Sequence, residues 1–246
     1  MADINQQILI MILILKTGHT IEHIRPDHGD FEDWIAGKMQ LSRPDYVVHP
    51  VGDYQQLPPE GNYSGVVITG SPLMVTDLAP RESLLGQWIL EQQEAGLPLL
   101  GICFGHHLLN VLNGGSVGYN SLGNITGCEK TYLTKAGEQD ILLGALPPVF
   151  EVYKSHQQSV QTVPEFASVL SKNHDGIIDA IRFGKHSWAV QFHPEFDAEI
   201  TTLHIQDEQD ELKAQGKDVP ELLSNVAEVD YGERLLQQFR ELTRTI

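Results

Sequence analysis

The sequence predicts an α/β protein: a three-layer sandwich with a mostly parallel central sheet, mixed edge strands and a helical C-terminal extension. Three observations carry this expectation. Apolar runs without alternation recur at residues 8–15, 46–49, 65–69 and 97–103, as in strands buried on both faces. Helical spacing of apolar residues lies between them, and strand–helix alternation builds a parallel sheet with right-handed crossovers. After residue 113 the chain turns Gly-rich, passes through short β-like runs, and becomes helical and charged from Asp197 onward.

The first run, ILIMILIL, is too short to span a bilayer and fits a central strand. DFEDWIAGKMQ follows as a helix, with Asp30 as its N-cap and acids in its first turn. The strands at 46–49 and 65–69 lead to a helix expected from Pro80 to Ala95, with Leu84, Leu85, Trp88 and Ile89 on one face. Gly96 supplies its stop and Pro98 prevents continuation. GGSVGYNSLGNITG reads as turns. CEKTYLT, VFEVYKS, ASVLSK, DAIRF and SWAVQF read as mixed or antiparallel strands near the sheet edge. The last helical stretch is broken around Gly216–Pro220. Residues 1–246 are expected to form a single domain, with 197–246 as its extension.

Composition narrows the function classes. There are 33 acidic and 16 basic residues, a formal charge of −17, which repels nucleic acid and anionic membranes. The start, MADINQQ, lacks the basic region of a secretory signal. Cys103 and Cys128 are the only cysteines, which suits a reducing, cytoplasmic setting without disulfides.

Cys103 stands in PLLGICFGHHLL, where a buried run ends and a helix begins. G-x-C-x-G at a strand-to-helix turn makes a nucleophile elbow, in which Gly101 and Gly105 remove side chains that would collide. The helix N-terminus beyond it favours negative charge and offers free N–H groups to an oxyanion. A second segment, SWAVQFHPEF, is an apolar strand ending in His193-Pro194-Glu195. Residues two apart in an extended chain point the same way, so Glu195 can orient His193 while His193 serves Cys103 as base. Gly70, in Thr69-Gly70-Ser71-Pro72 after the third strand, lets backbone approach a ligand and can complete an oxyanion hole with the amide of Phe104.

These stretches, LLGICFGHH, AVQFHPEF, ITGSP and KSHQQSV, resemble the class I glutamine amidotransferases, and among them the free-standing proteins similar to the glutaminase domain of GMP synthase. The resemblance spans nearly the whole chain and implies a flavodoxin-like fold and a Cys103-His193-Glu195 glutaminase, with Gly70 and Phe104 as oxyanion donors. Cys103 would attack the glutamine side-chain amide, giving a glutamyl thioester and ammonia for a separate synthase in trans. The synthase phosphate loop S-G-G-x-D-S is absent from the sequence; Asn113-Gly114-Gly115-Ser116 is the nearest string. No cofactor, metal, nucleic acid or membrane partner is expected.

One position departs from the family pattern. His107 stands where relatives carry a substrate-contacting Gln, one turn after the cysteine. Substrate contacts are expected from Ser71, His107, Asn120, Gly123, Ser155 and His156, whereas His106 should pack rather than act as base. His19, His23 and His28 are loosely spaced like ligands, but Pro26 and Gly29 break any helix that would align them. DEQDELK reads as a solvated helix face and Cys128 as structural. Two further readings stand beside glutamine hydrolysis: a γ-glutamyl hydrolase or peptidase with the same triad, and a non-catalytic regulatory protein of the same fold.

Overall fold

A computed structural model describes residues 11–52, 54–121 and 123–246. The first half contains β1 (Met11–Lys16), α1 (Arg25–His28), α2 (Phe31–Lys38), β2 (Tyr46–Pro50), β3 (Tyr63–Ile68), α3 (Leu84–Glu94), β4 (Leu99–Ile102) and α4 (Phe104–Leu112). The middle contains β5 (Ser116–Tyr119), β6 (Ile125–Leu133), α5 (Lys135–Glu138), β7 (Val149–His156), β8 (Gln158–Thr162), β9 (Ala167–Asn173), β10 (Ile178–Phe183) and β11 (Ser187–Val190). Four helices close the chain: α6 (Ala198–Asp207), α7 (Gln209–Ala214), α8 (Val219–Ser224) and α9 (Tyr231–Thr245).

One nine-stranded sheet runs in the order β2-β1-β3-β4-β11-β10-β9-β6-β7. Pairing is parallel from β2 to β11 and antiparallel from β11 to β7. The apolar run of β1 shows why its sequence does not alternate. Ile12 and Ile14 enter the core on one face, Leu13 and Leu15 the core on the other. The first core is closed by Ile35 of α2 and by Leu235, Leu236 and Phe239 of α9; the second by Leu85 of α3 and Leu108 and Leu109 of α4. Three layers result, with both faces of the sheet covered. Residues 8–10 of the expected first strand lie outside the described residues.

Local signals mostly act where expected. Asp30 caps α2 in a capping box with Asp33. The helix expected from Pro80 is shorter, because the Ser83 hydroxyl accepts from the Gly86 N–H and starts α3 at Leu84, after a separate turn at Pro80–Glu82. Gly96, at φ +83°, ends it. Part of the Gly-rich stretch is not turn but strand: β5 pairs with β8 in a small second sheet.

Residues 197–246 do two different jobs. α9 returns to the main sheet and supplies core, whereas α6 to α8 pack around Ile205, Leu212 and Val219 beside the strands' ends. Among the described residues, no helix is long and apolar enough to cross a membrane.

Candidate active site

The elbow forms at the C-terminal end of β4. Cys103 has φ +50° and ψ −98°, a conformation that non-glycine residues rarely adopt, and α4 starts at the next residue. Its N–H donates to the Val190 carbonyl at 2.8 Å, tying the turn to β11. The flanking glycines are sterically required. A Cβ on Gly101 would lie 2.4 Å from the Gly105 carbonyl oxygen, and one on Gly105 would lie 2.6 Å from that of Ile68. The sulfur sits 3.7 Å from the Ser155 carbonyl oxygen, with the Gln191 amide nitrogen at 3.9 Å.

β11 leads directly into the second motif. The His193 N–H donates to the Tyr153 carbonyl at 2.8 Å, fixing the backbone, and its Nδ1–H donates to Glu195 Oε1 at 2.7 Å. Both side chains are buried. Burial alone would lower the basicity of His193. The Glu195 carboxylate, and after it the Cys103 sulfur facing the ring, outweigh burial and hold the imidazole well above its ordinary pKa. The ring lies against Phe196 at 4.1 Å between centroids and near Phe31 at 5.9 Å, both stacked. Gly70 abuts the same ring: a Cβ there would come 2.9 Å from His193 Cε1.

A cavity of about 440 Å³ opens over these groups. Cys103, His193, Phe104, Ser71, His107, Ser155 and His156 all line it, and Asn124 marks the nearest approach of the Gly-rich segment. Asn120 and Gly123 do not line it; Gly123 packs against Gln215 instead. The Ser71 hydroxyl donates to the Thr17 carbonyl at 3.0 Å. His107 bonds through Nε2 to Gln191 Oε1 at 2.7 Å, and burial lowers its pKa to about 4. Burial likewise lowers His106, to about 3, and its ring does not reach the cavity. His19 bonds to Asp30 at 2.7 Å and His23 faces Asp207 at 3.6 Å. Cys128 is half-buried and free.

Several groups at the site escape the sequence reading. Gln191 shares the side of the extended chain that carries His193 and Glu195, so the alternation that pairs those two also points to it. Phe31 and Phe196 look like ordinary core residues in sequence. Glu208 belongs to DEQDELK, yet it is not on a solvated face. Its two oxygens accept from Ser155 Oγ at 2.9 Å and Thr126 Oγ1 at 2.8 Å, which draws it into the cavity wall.

Comparison with known proteins places this geometry among relatives. A family model described as glutamine amidotransferase class-I matches residues 27–209. The chain is 32% identical over 142 residues to a glutamine-hydrolyzing GMP synthase subunit from Ignicoccus hospitalis, covering 56% of this chain and 70% of that one. It is 27% identical over 191 residues to gamma-glutamyl peptidase 3 of Arabidopsis thaliana, covering 74% of this chain and 76% of that one. A glutamine amidotransferase crystal structure from Thermotoga maritima superposes with a TM-score of 0.72 at 21% identity, covering 96% of this chain and 98% of that one.

Proposed function

The chain belongs to the glutamine amidotransferase class-I family, and from that premise we propose that it hydrolyses the side-chain amide of glutamine through a Cys103 thioester. The observation that carries this reading is the His193 imidazole, bonded to Glu195 through Nδ1, held basic, and facing the sulfur of a strained elbow cysteine. A ring held basic accepts the Cys103 proton on its second nitrogen and then presents that N–H toward the leaving nitrogen.

The sequence of steps follows from that arrangement. Cys103 Sγ, its proton passed to His193, attacks the amide carbonyl carbon, and the carbonyl oxygen becomes an oxyanion. The backbone N–H groups of Gly70 and Phe104 stabilise it, Phe104 from the first turn of α4. His193 protonates the amide nitrogen, the C–N bond breaks, and ammonia leaves with a thioester behind it. A water then gives His193 a proton and attacks the thioester carbonyl, and the thiolate leaves as glutamate forms. Glu195 holds the imidazole in one tautomer throughout. The released ammonia serves a separate synthase.

The size of the cavity supports a second reading, hydrolysis of γ-glutamyl amides larger than glutamine. About 440 Å³ is in the range of sites for ligands well beyond one amino acid. Its lining extends beyond the elbow to Thr20, Ile21, Glu22, His204, Asp207 and Glu208, more surface than glutamine alone would cover.

One panel decides between them. The protein is incubated with glutamine and with several γ-glutamyl dipeptides, and ammonia and free glutamate are followed, with Cys103→Ala as control. Ammonia from glutamine as the main product supports the first reading, and preference for dipeptides the second. Absence of turnover, with no labelling of Cys103 by an electrophilic glutamine analogue, removes both.

A further inference from the structure

Lys154 of β7 and Asp179 of β10 form an ion pair with no exposed side-chain surface. Lys154 Nζ stands 2.8 Å from Asp179 Oδ1 and donates to Oδ2 at 3.0 Å; it also reaches Glu129 Oε2 on β6 at 3.2 Å. β7 and β10 are not neighbours, since β9 and β6 stand between them in the sheet. The pair thus links two strands that no backbone ladder joins among the described residues. Burial raises the pKa of Asp179 and the ammonium opposes it. Taking two such charges out of water costs about as much as their attraction returns, and apolar residues of similar size often serve stability as well. Stability alone does not account for the pair.

Both ends of the pair connect to the elbow and its histidine. Lys154 is flanked by Tyr153 and Ser155, whose carbonyls leave the strand on the same side because successive carbonyls alternate. The Tyr153 carbonyl accepts from the His193 N–H at 2.8 Å, and the Ser155 carbonyl oxygen lies 3.7 Å from Cys103 Sγ. At the other end, the Asp179 carbonyl accepts from the Gln191 N–H at 2.8 Å. The Gln191 amide nitrogen stands 3.9 Å from the same sulfur. Cys103 Sγ is therefore held between a carbonyl of β7 and a side chain whose backbone hangs from β10, and the ion pair spans those two strands.

We propose that Lys154 and Asp179 are positioning residues: their ion pair fixes β7 against β10 and so sets how His193 meets Cys103. The inference rests on the hydrolytic reading above for the reaction, but not for the sulfur–imidazole geometry. Neither residue lines the cavity, so both act through the strands that carry them. Glu129 shares the ammonium, yet its side chain is 37% exposed and it stands on β6, the ladder partner of β7. It adds no link to β10.

The test uses Lys154→Met/Asp179→Val, which removes both charges and keeps apolar bulk in their place. Alkylation of Cys103 by iodoacetamide is followed across pH by peptide mass spectrometry, which separates it from Cys128. The urea midpoint is measured beside it, with kcat and KM for glutamine and γ-glutamyl dipeptides. The double variant is expected to keep a urea midpoint at or above that of the parent. Its alkylation near neutral pH should slow by about tenfold or more, with the profile displaced to higher pH as the sulfur loses the imidazolium. Its kcat should fall by about tenfold or more while KM stays within about twofold. Glu129→Gln should match the parent in all of these. If the double variant does not fold, Asp179→Asn, which keeps shape and one acceptor, is read in the same way, with an expected loss of about threefold or more in alkylation rate. Parental alkylation and kcat in a folded variant overturn the positioning role, and so does a loss confined to KM. If the parent turns over neither glutamine nor the dipeptides, the hydrolytic reading falls and the alkylation profile alone decides the positioning role.

Discussion

His107 and Gln191 are bonded to one another, Nε2 to Oε1 at 2.7 Å, and the other end of the same amide points its nitrogen at Cys103 Sγ from 3.9 Å. His107 therefore acts on the elbow through Gln191, in addition to lining the cavity. Removing either partner leaves a buried polar group unpaired, at a cost of about 1–3 kcal/mol. His107→Ala and Gln191→Leu are each expected to lower stability by that order. The double variant should lose clearly less than the sum, with a coupling of about 0.5–3 kcal/mol in a urea-denaturation cycle. Additive losses would show that the two side chains do not depend on one another.

This pair also shows how far the sequence could be read. The elbow was legible because a buried run, two glycines and a cysteine state a local geometry, and the glycines do meet backbone oxygens closely. His193 and Glu195 were legible because alternation in an extended chain is local too, and they meet at 2.7 Å. Contacts between distant segments were not. Nothing near Glu208 in sequence announces Ser155 and Thr126, and nothing near His107 announces Gln191. Asn120 and Gly123 were expected at the substrate because the Gly-rich stretch follows the elbow helix. The pairing of β5 with β8 carries that stretch along a second sheet, so that Asn124 is its residue on the cavity. The fold class, set by apolar periodicity, was readable almost throughout. The start of α3 is the exception, because a serine cap sets it at Leu84.

The backbone strain at Cys103 predicts an ordering of two inactive variants. At φ +50° a side chain costs about 1–3 kcal/mol, and glycine avoids that while adding its own entropic cost of roughly 0.5–1 kcal/mol. Cys103→Gly is therefore expected to be more stable than Cys103→Ala by about 1 kcal/mol in denaturant titrations, although both lose hydrolysis. Alanine proving the more stable would mean that the elbow is not strained.

Gly70 offers a test of how closely the site is built. A methyl group there would stand 2.9 Å from His193 Cε1, and the ring is backed by Phe196 and anchored by Glu195. The ring cannot retreat without lengthening the Glu195 bond or moving off the sulfur. Gly70→Ala should cut kcat by about 10²-fold with the fold retained, as expected for misplaced acid–base chemistry. An unchanged kcat, with the circular dichroism spectrum of the parent, would show that the ring has slack the geometry does not reveal.

On the proposed hydrolytic mechanism, Glu195 sets the pH dependence of turnover through its bond to His193. With the carboxylate present, attraction exceeds the burial penalty and His193 stays protonated at neutral pH. In Glu195→Gln the burial penalty is left unopposed by that charge, so the ring should titrate at lower pH. The expected result is a kcat lower by about 10²–10⁴-fold at pH 7.5, with the alkaline limb of the rate profile displaced toward acid. A profile of unchanged shape would place the proton on a different group.

Four buried histidines set the acid stability of the protein. Burial lowers His106 to about 3, His107 to about 4 and His204 to about 3, and it takes His156 well below its ordinary value. In the unfolded chain each takes up a proton near pH 6.5, whereas in the folded protein each stays neutral. The unfolded state thus binds more protons as the pH falls, so stability is complete above pH 6.5 and declines toward pH 4, by roughly 1.4 kcal/mol per pH unit for each histidine. His193 does not offset this, because a raised folded pKa makes its contribution constant below 6.5 and lost only on the alkaline side. Urea midpoints should therefore drop steeply between pH 6.5 and 5. His106 gives the sharpest check, since it is fully buried and its ring lies outside the cavity. His106→Leu removes one of the four protons at little packing cost, so its stability should fall less steeply over the same interval, by about a quarter of the parent slope. Equal slopes for parent and variant would mean that His106 is protonated in the folded protein and that its burial does not exclude the charge.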